Sequence, residues 1–498
     1  MAIDNLPEEI LELILNYADA DSAFLRACTS ISWAFVPIAQ RRFFSSIAFH
    51  SKEDDPSSTS RRLTQLAEIL ETSPHLLSYT TRVAYVVPTG IEDCDDVLRR
   101  EGDLLAHIVP LMTRLQSVSI RFYLGASAWK PQLTHWGSIP PLLQRALQGL
   151  LSLPELVAVH CQDIGGLPFS IIPWTSLTTT CLSNVSVDSS SDGDTTSPPQ
   201  NDPSSRPILP LEGLVITVLP SPWLDTLVRE YRLENLRRLV LSQADDSKYD
   251  LHIGTHEALK LDYVGEHRVM ATLLAESKGS LEELYIYLPH YDPCSRPDQN
   301  EDNRHAPSFD LSGHANLKLV VKRMIWPSPD VKSPAGWLLK EATPLGLDPT
   351  YASLGETAST IQSEACKVIL EFLWREDPYP YFEIGDAFGT IDAAFAENPS
   401  LSLLVRHNIF CAEIFELADA KEDMDKRMHR AFPMLRRQGR FNAWSSKFRE
   451  VIPVFEGFHT CSNEHCRELF QEREWQEPEG CDDDDGDDYG LFSCRITL

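Results

Sequence analysis

Hydrophobic positions are densest and most regular between residues 6 and 49. Ile10, Leu11, Leu13, Ile14, Leu15 and Tyr17 fill one short run, while Glu8, Glu12, Asn16 and Asp19 recur at helical spacing as a narrow polar stripe. The spacing predicts a helix opened by Pro7, whose missing N–H suits a first turn. Asp4 or Asn5 stands where a cap is needed, and Glu8, Glu9 and Glu12 favour the positive end of the helix dipole. Asp19, Asp21 and Ser22 mark the stop and the cap of a second helix, which offers Phe24, Leu25, Ala27 and Cys28. A third segment offers Trp33, Phe35, Val36, Ile38, Phe43 and Phe44, with Pro37 expected to delay or bend it. A unit of about 45 residues buries too little surface to stand easily alone. Its apolar circumference also exceeds what two short neighbours cover, which marks either a protein–protein contact or the N-terminal cap of a larger core.

A second pattern follows at longer period. Leu-x-x-(Leu/Val)-x-(apolar) occurs as Leu115, Val118, Ile120; as Leu156, Val159, Cys161; as Leu236, Leu239, Leu241; and as Leu281, Leu284, Ile286. Fainter copies begin at Leu317 with Val320 and at Leu401 with Leu404. The good copies follow the helix-like runs Leu104–Met112, Leu142–Leu150, Trp223–Arg229 and Val269–Ser277. A helix and then a short strand opened by Leu-x-x-Leu is the layout of a leucine-rich repeat, here irregular in spacing. Ser186–Pro207 and Tyr291–Ser308 read as disordered insertions, and residues 327–358 as a long irregular connection. From Ser359 to Phe455 helical patterns return at Ile361–Trp374, Ile391–Ala396, Ala412–Ala418 and Asp423–Phe432, with Leu401–Ile409 as a strand. Met434–Arg440 is expected to close the array, where a capping element belongs.

Composition narrows the class. The chain has 498 residues, enough for two to four compact units, and 43% hydrophobic residues. Its mean hydropathy is −0.21. No apolar run approaches the roughly 20 residues that span a bilayer. The opening is acidic where a secretory signal would be basic, so a cytoplasmic or nuclear protein is expected. The 11 cysteines follow no pairing pattern and are expected mostly as buried, reduced thiols. A net charge of −29 argues against nucleic-acid binding. Asp482–Asp485, Asp487 and Asp488 form an acidic tail, downstream of Lys426, Arg427, Arg430, Arg436, Arg437, Arg440, Lys447 and Arg449. The tail is expected either to stay solvated or to fold back on that basic stretch and compete with an acidic ligand.

Catalytic chemistry finds little support. His459, Cys461, His465 and Cys466, with Cys481 and Cys494, lack the close Cys-x-x-Cys pair of structural zinc sites, so no metal is assigned. Asp188, Ser190 and Asp192 mimic a calcium loop, but Pro199 stands where the terminal Glu ligand belongs. No phosphate-binding loop, nucleophile elbow or His-Glu-x-x-His occurs. No catalytic residue, cofactor or enzyme activity is therefore expected.

Leu6-Pro7-Glu8-Glu9-Ile10, Ile14, Leu25–Cys28, Trp33 and the ending Gln40–Ile47 together resemble an F-box, closest in wording to the large fungal set of F-box proteins. The degenerate repeat and the Met434–Arg440 ending resemble the C-terminal part of the same set. The resemblance implies an α/β chain. A three-helix F-box at 1–49 would be followed by an irregular leucine-rich-repeat-like solenoid at 50–455 and an acidic, Cys-containing tail at 456–498. It also implies docking on a Skp-family adaptor and, through it, a cullin–RING ubiquitin ligase, with the repeat region as receptor for a protein substrate. Leu6, Pro7, Ile10, Leu13, Ile14 and Trp33 are the expected adaptor contacts or their immediate support. Neither nucleic acid nor membrane is an expected partner. The alternative is a scaffold protein whose F-box-like module works outside a ligase.

Overall fold

The structure, a computed structural model, describes residues 6–17, 22–49, 58–89, 94–124, 134–188, 205–217, 222–242, 263–287, 309–326, 357–374, 386–409, 426 and 428–447. The chain divides into two compact units, the first holding Met1–Leu177 and the second Thr178–Glu450.

The first unit opens with helices α1 (Glu8–Tyr17) and α2 (Ser22–Ile31), a 3-10 turn at Trp33–Phe35, and α3 (Val36–Ser45). Pro37 does not interrupt α3 as the sequence suggested. It stands in the first turn of the helix, where a missing N–H costs nothing. The chain then alternates: β1 (Ser46–Phe49), α4 (Ser58–Thr72), β2 (Arg82–Thr89), α5 (Cys94–Ile108), β3 (Ser117–Leu124), β4 (Thr134–His135), α6 (Pro141–Leu151) and β5 (Ala158–Pro168). Strands β1, β2, β3 and β5 lie side by side in chain order, all parallel, so each successive pair needs a crossover, and a helix supplies it. The register stacks Ile47, Val83, Val118 and Val159 in one buried column and Phe49, Tyr85, Ile120 and Cys161 in the next. The short β4 pairs with the far end of β5 at Gly165. Beside it Gly166 has φ +62, and a Cβ there would lie 2.2 Å from the His135 ring, so only glycine fits.

The second unit continues the theme with β6 (Thr179–Asp188), β7 (Gly213–Thr217), α7 (Pro222–Glu230), β8 (Arg238–Ser242), α8 (Tyr263–Glu276), β9 (Glu283–Tyr287), β10 (Leu319–Trp326), β11 (Cys366–Trp374), α9 (Asp386–Glu397), β12 (Leu401–Ile409), α10 (Pro433–Arg437) and β13 (Phe441–Lys447). These strands are again parallel, in chain order, in an open sheet. Leu214, Leu239, Leu284, Val320, Val368 and Leu403 form one column. At several strand heads one carbonyl accepts two backbone N–H groups from the next segment. Thr178 O serves Glu212 and Gly213, Glu212 O serves Arg237 and Arg238, and Arg237 O serves Glu282 and Glu283. In the first unit Thr81 O and Gln116 O do the same. This shared strand-head geometry is what the Leu-x-x-(Leu/Val)-x-(apolar) spacing encodes.

Some expectations change. Ile361–Trp374 is not helical: a helical turn ends at Thr360, and Cys366–Trp374 is strand β11, paired on one side with β10 and on the other with β12. Its Val, Ile, Phe and Trp content suits a strand, and a short apolar run does not discriminate the two periods. In β12 the buried positions are Leu401, Leu403 and Val405, so the expected Leu404 register is off by one. Ser186–Asp188 complete β6, and Arg206 bonds Val228 O and pairs with Glu276 at 2.9 Å, so both ends of the first expected insertion are built into the fold. Its middle, Tyr291–Ser308, residues 327–356, Ala412–Ala418 and the 456–498 tail with its Cys/His set lie outside the described residues. Among the described residues no helix is long and apolar enough to cross a membrane.

Candidate functional site

Helices α1–α3 close around a small core of Leu11, Leu15, Leu25, Cys28, Phe35, Ile38 and Ala39, with Leu6, Phe24, Ala34 and Phe43 half-buried at its edge. Leu11 and Leu15 are one turn apart, so a single face of α1 supplies that core. Pro7 starts the helix, and its carbonyl accepts the N–H groups of Ile10 and Leu11. At the α2 end, Ser32 is buried and its Oγ accepts the Ala34 N–H at 3.1 Å, which turns the chain into the 3-10 segment. That turn packs against α1.

The polar stripe of α1 is not merely solvated. Arg41 of α3 forks onto it, with Nη2 donating to Glu8 Oε1 at 2.6 Å and Nη1 to Glu12 Oε1 at 2.9 Å. The Glu8 hydrogen bond foremost raises the guanidinium pKa. All three side chains are substantially exposed, so each pair is worth at most about 1 kcal/mol; its effect is to fix which side of α1 faces α3.

With one side of α1 on the core and an adjoining stripe on Arg41, the remaining side leaves its apolar side chains exposed among the described residues. Ile10 is 41% exposed, Leu13 60% and Ile14 40%, at the i, i+3, i+4 spacing of one helical face. Trp33 is 86% exposed and Ile31 66%. Outside these helices the exposed large apolar residues among those described are scattered singly: Leu111, Val157, Ile208 and Met434. Of the six residues expected to contact an adaptor, Pro7, Ile10, Leu13, Ile14 and Trp33 are exposed, while Leu6 is half-buried against the core and supports it. Ile31 escapes sequence reasoning because it closes α2 just past the last core position, Cys28. Clustered exposure of this kind marks a surface that another protein covers.

Elsewhere among the described residues polar groups join neighbouring elements. Ser119 Oγ lies 3.1 Å from His160 Nδ1 across neighbouring β3 and β5. Burial foremost, and Arg121 second, push His160 down to about 4. A base that weak takes little part in proton transfer at neutral pH, so this pair joins strands rather than activating a nucleophile. Arg121 also faces Asp163 at 3.7 Å. Cys28, Cys161, Cys181 and Cys366 form no disulfide, and burial pushes Cys161 and Cys366 up to about 12, which leaves these two poorly reactive. No group of three metal-binding side chains occurs among the described residues.

No family model matches the chain, and no curated protein matches it.

Proposed function

We propose that this chain is the substrate-recognition subunit of an F-box/cullin-type ubiquitin ligase. Helices α1–α3 dock on a Skp-family adaptor, and the two α/β units, read as a degenerate leucine-rich-repeat solenoid, hold a protein target. The single observation that carries the reading is the exposure of Ile10, Leu13, Ile14, Ile31 and Trp33 on the first helices. Removing a large apolar side chain from water contributes about 1.5–3 kcal/mol, so a partner groove over this arc has ample driving force. The repeated strand heads and chain-order parallel strands support the repeat reading. In this mechanism the chain makes and breaks no bonds. It raises the effective concentration of target lysines near a charged ubiquitin-conjugating enzyme.

The test is a pull-down of the tagged full chain from cells, probed for both adaptor and cullin. Recovery of both is the expected result. Adaptor without cullin would favour a scaffold outside a ligase, and recovery of neither would overturn the proposal.

A further inference from the structure

In the second unit, His429, Arg430, Pro433, Arg436 and Arg437 line a pocket of about 430 Å3. Among the described residues its lining holds three guanidinium groups and an imidazole and no carboxylate. The neighbouring charges are already committed. Asp392 is buried on α9, and its two oxygens accept the N–H groups of Met434 at 2.7 Å and Leu435 at 2.9 Å. Arg440 is held inward by the carbonyls of Ala396 and Leu401, each at 2.9 Å, and by that of Asn398. Arg430, Arg436 and Arg437 are exposed instead and form no ion pair among the described residues. A rigid frame therefore presents three permanent cations, in a chain whose net charge is −29.

From this arrangement we infer that the pocket is a docking site for an acidic peptide segment of a partner protein, separate from the α1–α3 arc. Guanidinium groups pair side-on with carboxylates. Here they stand on two successive helical segments, 428–431 and 433–437, which matches carboxylates spread along a peptide better than one compact anion. Pro433, exposed in the same lining, adds apolar contact for the peptide stem. A nucleic-acid strand fits less well, because a long polyanion meets the repulsion of the whole chain while a short peptide presents few charges to it.

Fluorescence anisotropy of the full chain with a labelled hexa-aspartate peptide tests the inference, at about 20 mM and about 150 mM salt. We expect saturable, salt-weakened binding that Arg436→Gln with Arg437→Gln reduces by about tenfold or more. Both side chains are exposed, so the fold should persist, and an unchanged thermal midpoint checks that. A control variant, Arg114→Gln with Arg145→Gln, removes the same charge from exposed positions in the first unit and should bind like the parent. Equal weakening in both variants would make the attraction diffuse and overturn the site. So would tighter binding of an oligouridylate than of the peptide, or no binding of the peptide at low salt.

Discussion

Glu101 is fully buried in α5, where its carboxyl accepts Ser60 Oγ at 3.0 Å from α4 and the Tyr85 hydroxyl from β2. Burial pushes its pKa up from 4.5, against the opposing pull of those two hydrogen bonds. The folded protein thus keeps a proton that the unfolded chain releases, and this residue's contribution to stability falls as pH rises above 4.5. Glu101→Gln mimics the protonated carboxyl: one oxygen still accepts, and the amide N–H groups donate to the other hydroxyl's oxygen. Its urea midpoint should match the parent near pH 4 and exceed it near pH 8; parallel midpoints across that range would contradict this reading. Lys322 is a second cost, half-buried in the sheet. It occupies the helix-facing column of Ile216, Leu241, Ile286, Leu370 and Val405, and burial pushes its amine down to about 8. The unfolded chain binds more protons above that value, so the parent gains stability as pH rises from about 8 towards 10.5. Lys322→Met should stabilise by about 1–2 kcal/mol near pH 7, with the gain shrinking over that alkaline window in denaturant titrations. Lys322 also explains why the copy beginning at Leu317 looks faint: its third apolar position is a lysine. Neither burial was legible from sequence, since a lone Glu or Lys in an amphipathic run gives no sign of which way it faces.

At the scale of elements, α10 depends on another helix. It has only five residues, Pro433–Arg437, and its own preceding residue, Phe432, supplies no side-chain cap. Asp392 of α9 takes that role from across the chain, and Gly439, with φ +68, lets the backbone reverse so that the Arg440 N–H reaches Leu435 O. Asp392→Ala should cost about 1–2 kcal/mol and raise hydrogen exchange at 434–440 ahead of the rest of the unit. Exchange unchanged there would show that packing alone holds α10. The sequence named the Met434–Arg440 ending but not its distant cap. It likewise predicted the helix–strand units whose heads carry leucine, as at Leu115, Leu156, Leu236 and Leu281. Strand β2 keeps the same spacing with Thr80 at the head, so an apolar template misses it. Leu211, Leu214 and Ile216 of the β7 segment fit the template fully, but they follow a Ser/Asp/Pro-rich stretch rather than a helical run. The arc on α1 was the more legible feature, because too many apolar residues for one small core is visible without coordinates. Which of them turn outward was not, since that depends on Arg41 of α3 gripping the Glu8–Glu12 stripe.

At the scale of the whole molecule, a −29 chain places its clustered exposed apolar side chains on the first helices and presents bare arginines around one pocket in the second unit. The two sets share no residue and differ in chemistry, so substituting one should leave the other's binding intact. The most direct measurement is a calorimetric titration of the purified full chain with a purified Skp-family adaptor, alongside the variant Leu13→Asp with Trp33→Asp. Both side chains already face water, so the variant should fold with an unchanged thermal midpoint. The expected result is one-to-one binding by the parent, weakened by at least about a hundredfold in the variant, or some 2.7 kcal/mol. A parent that does not bind, or a variant that binds equally well, would contradict the idea that this arc is built to be covered by an adaptor.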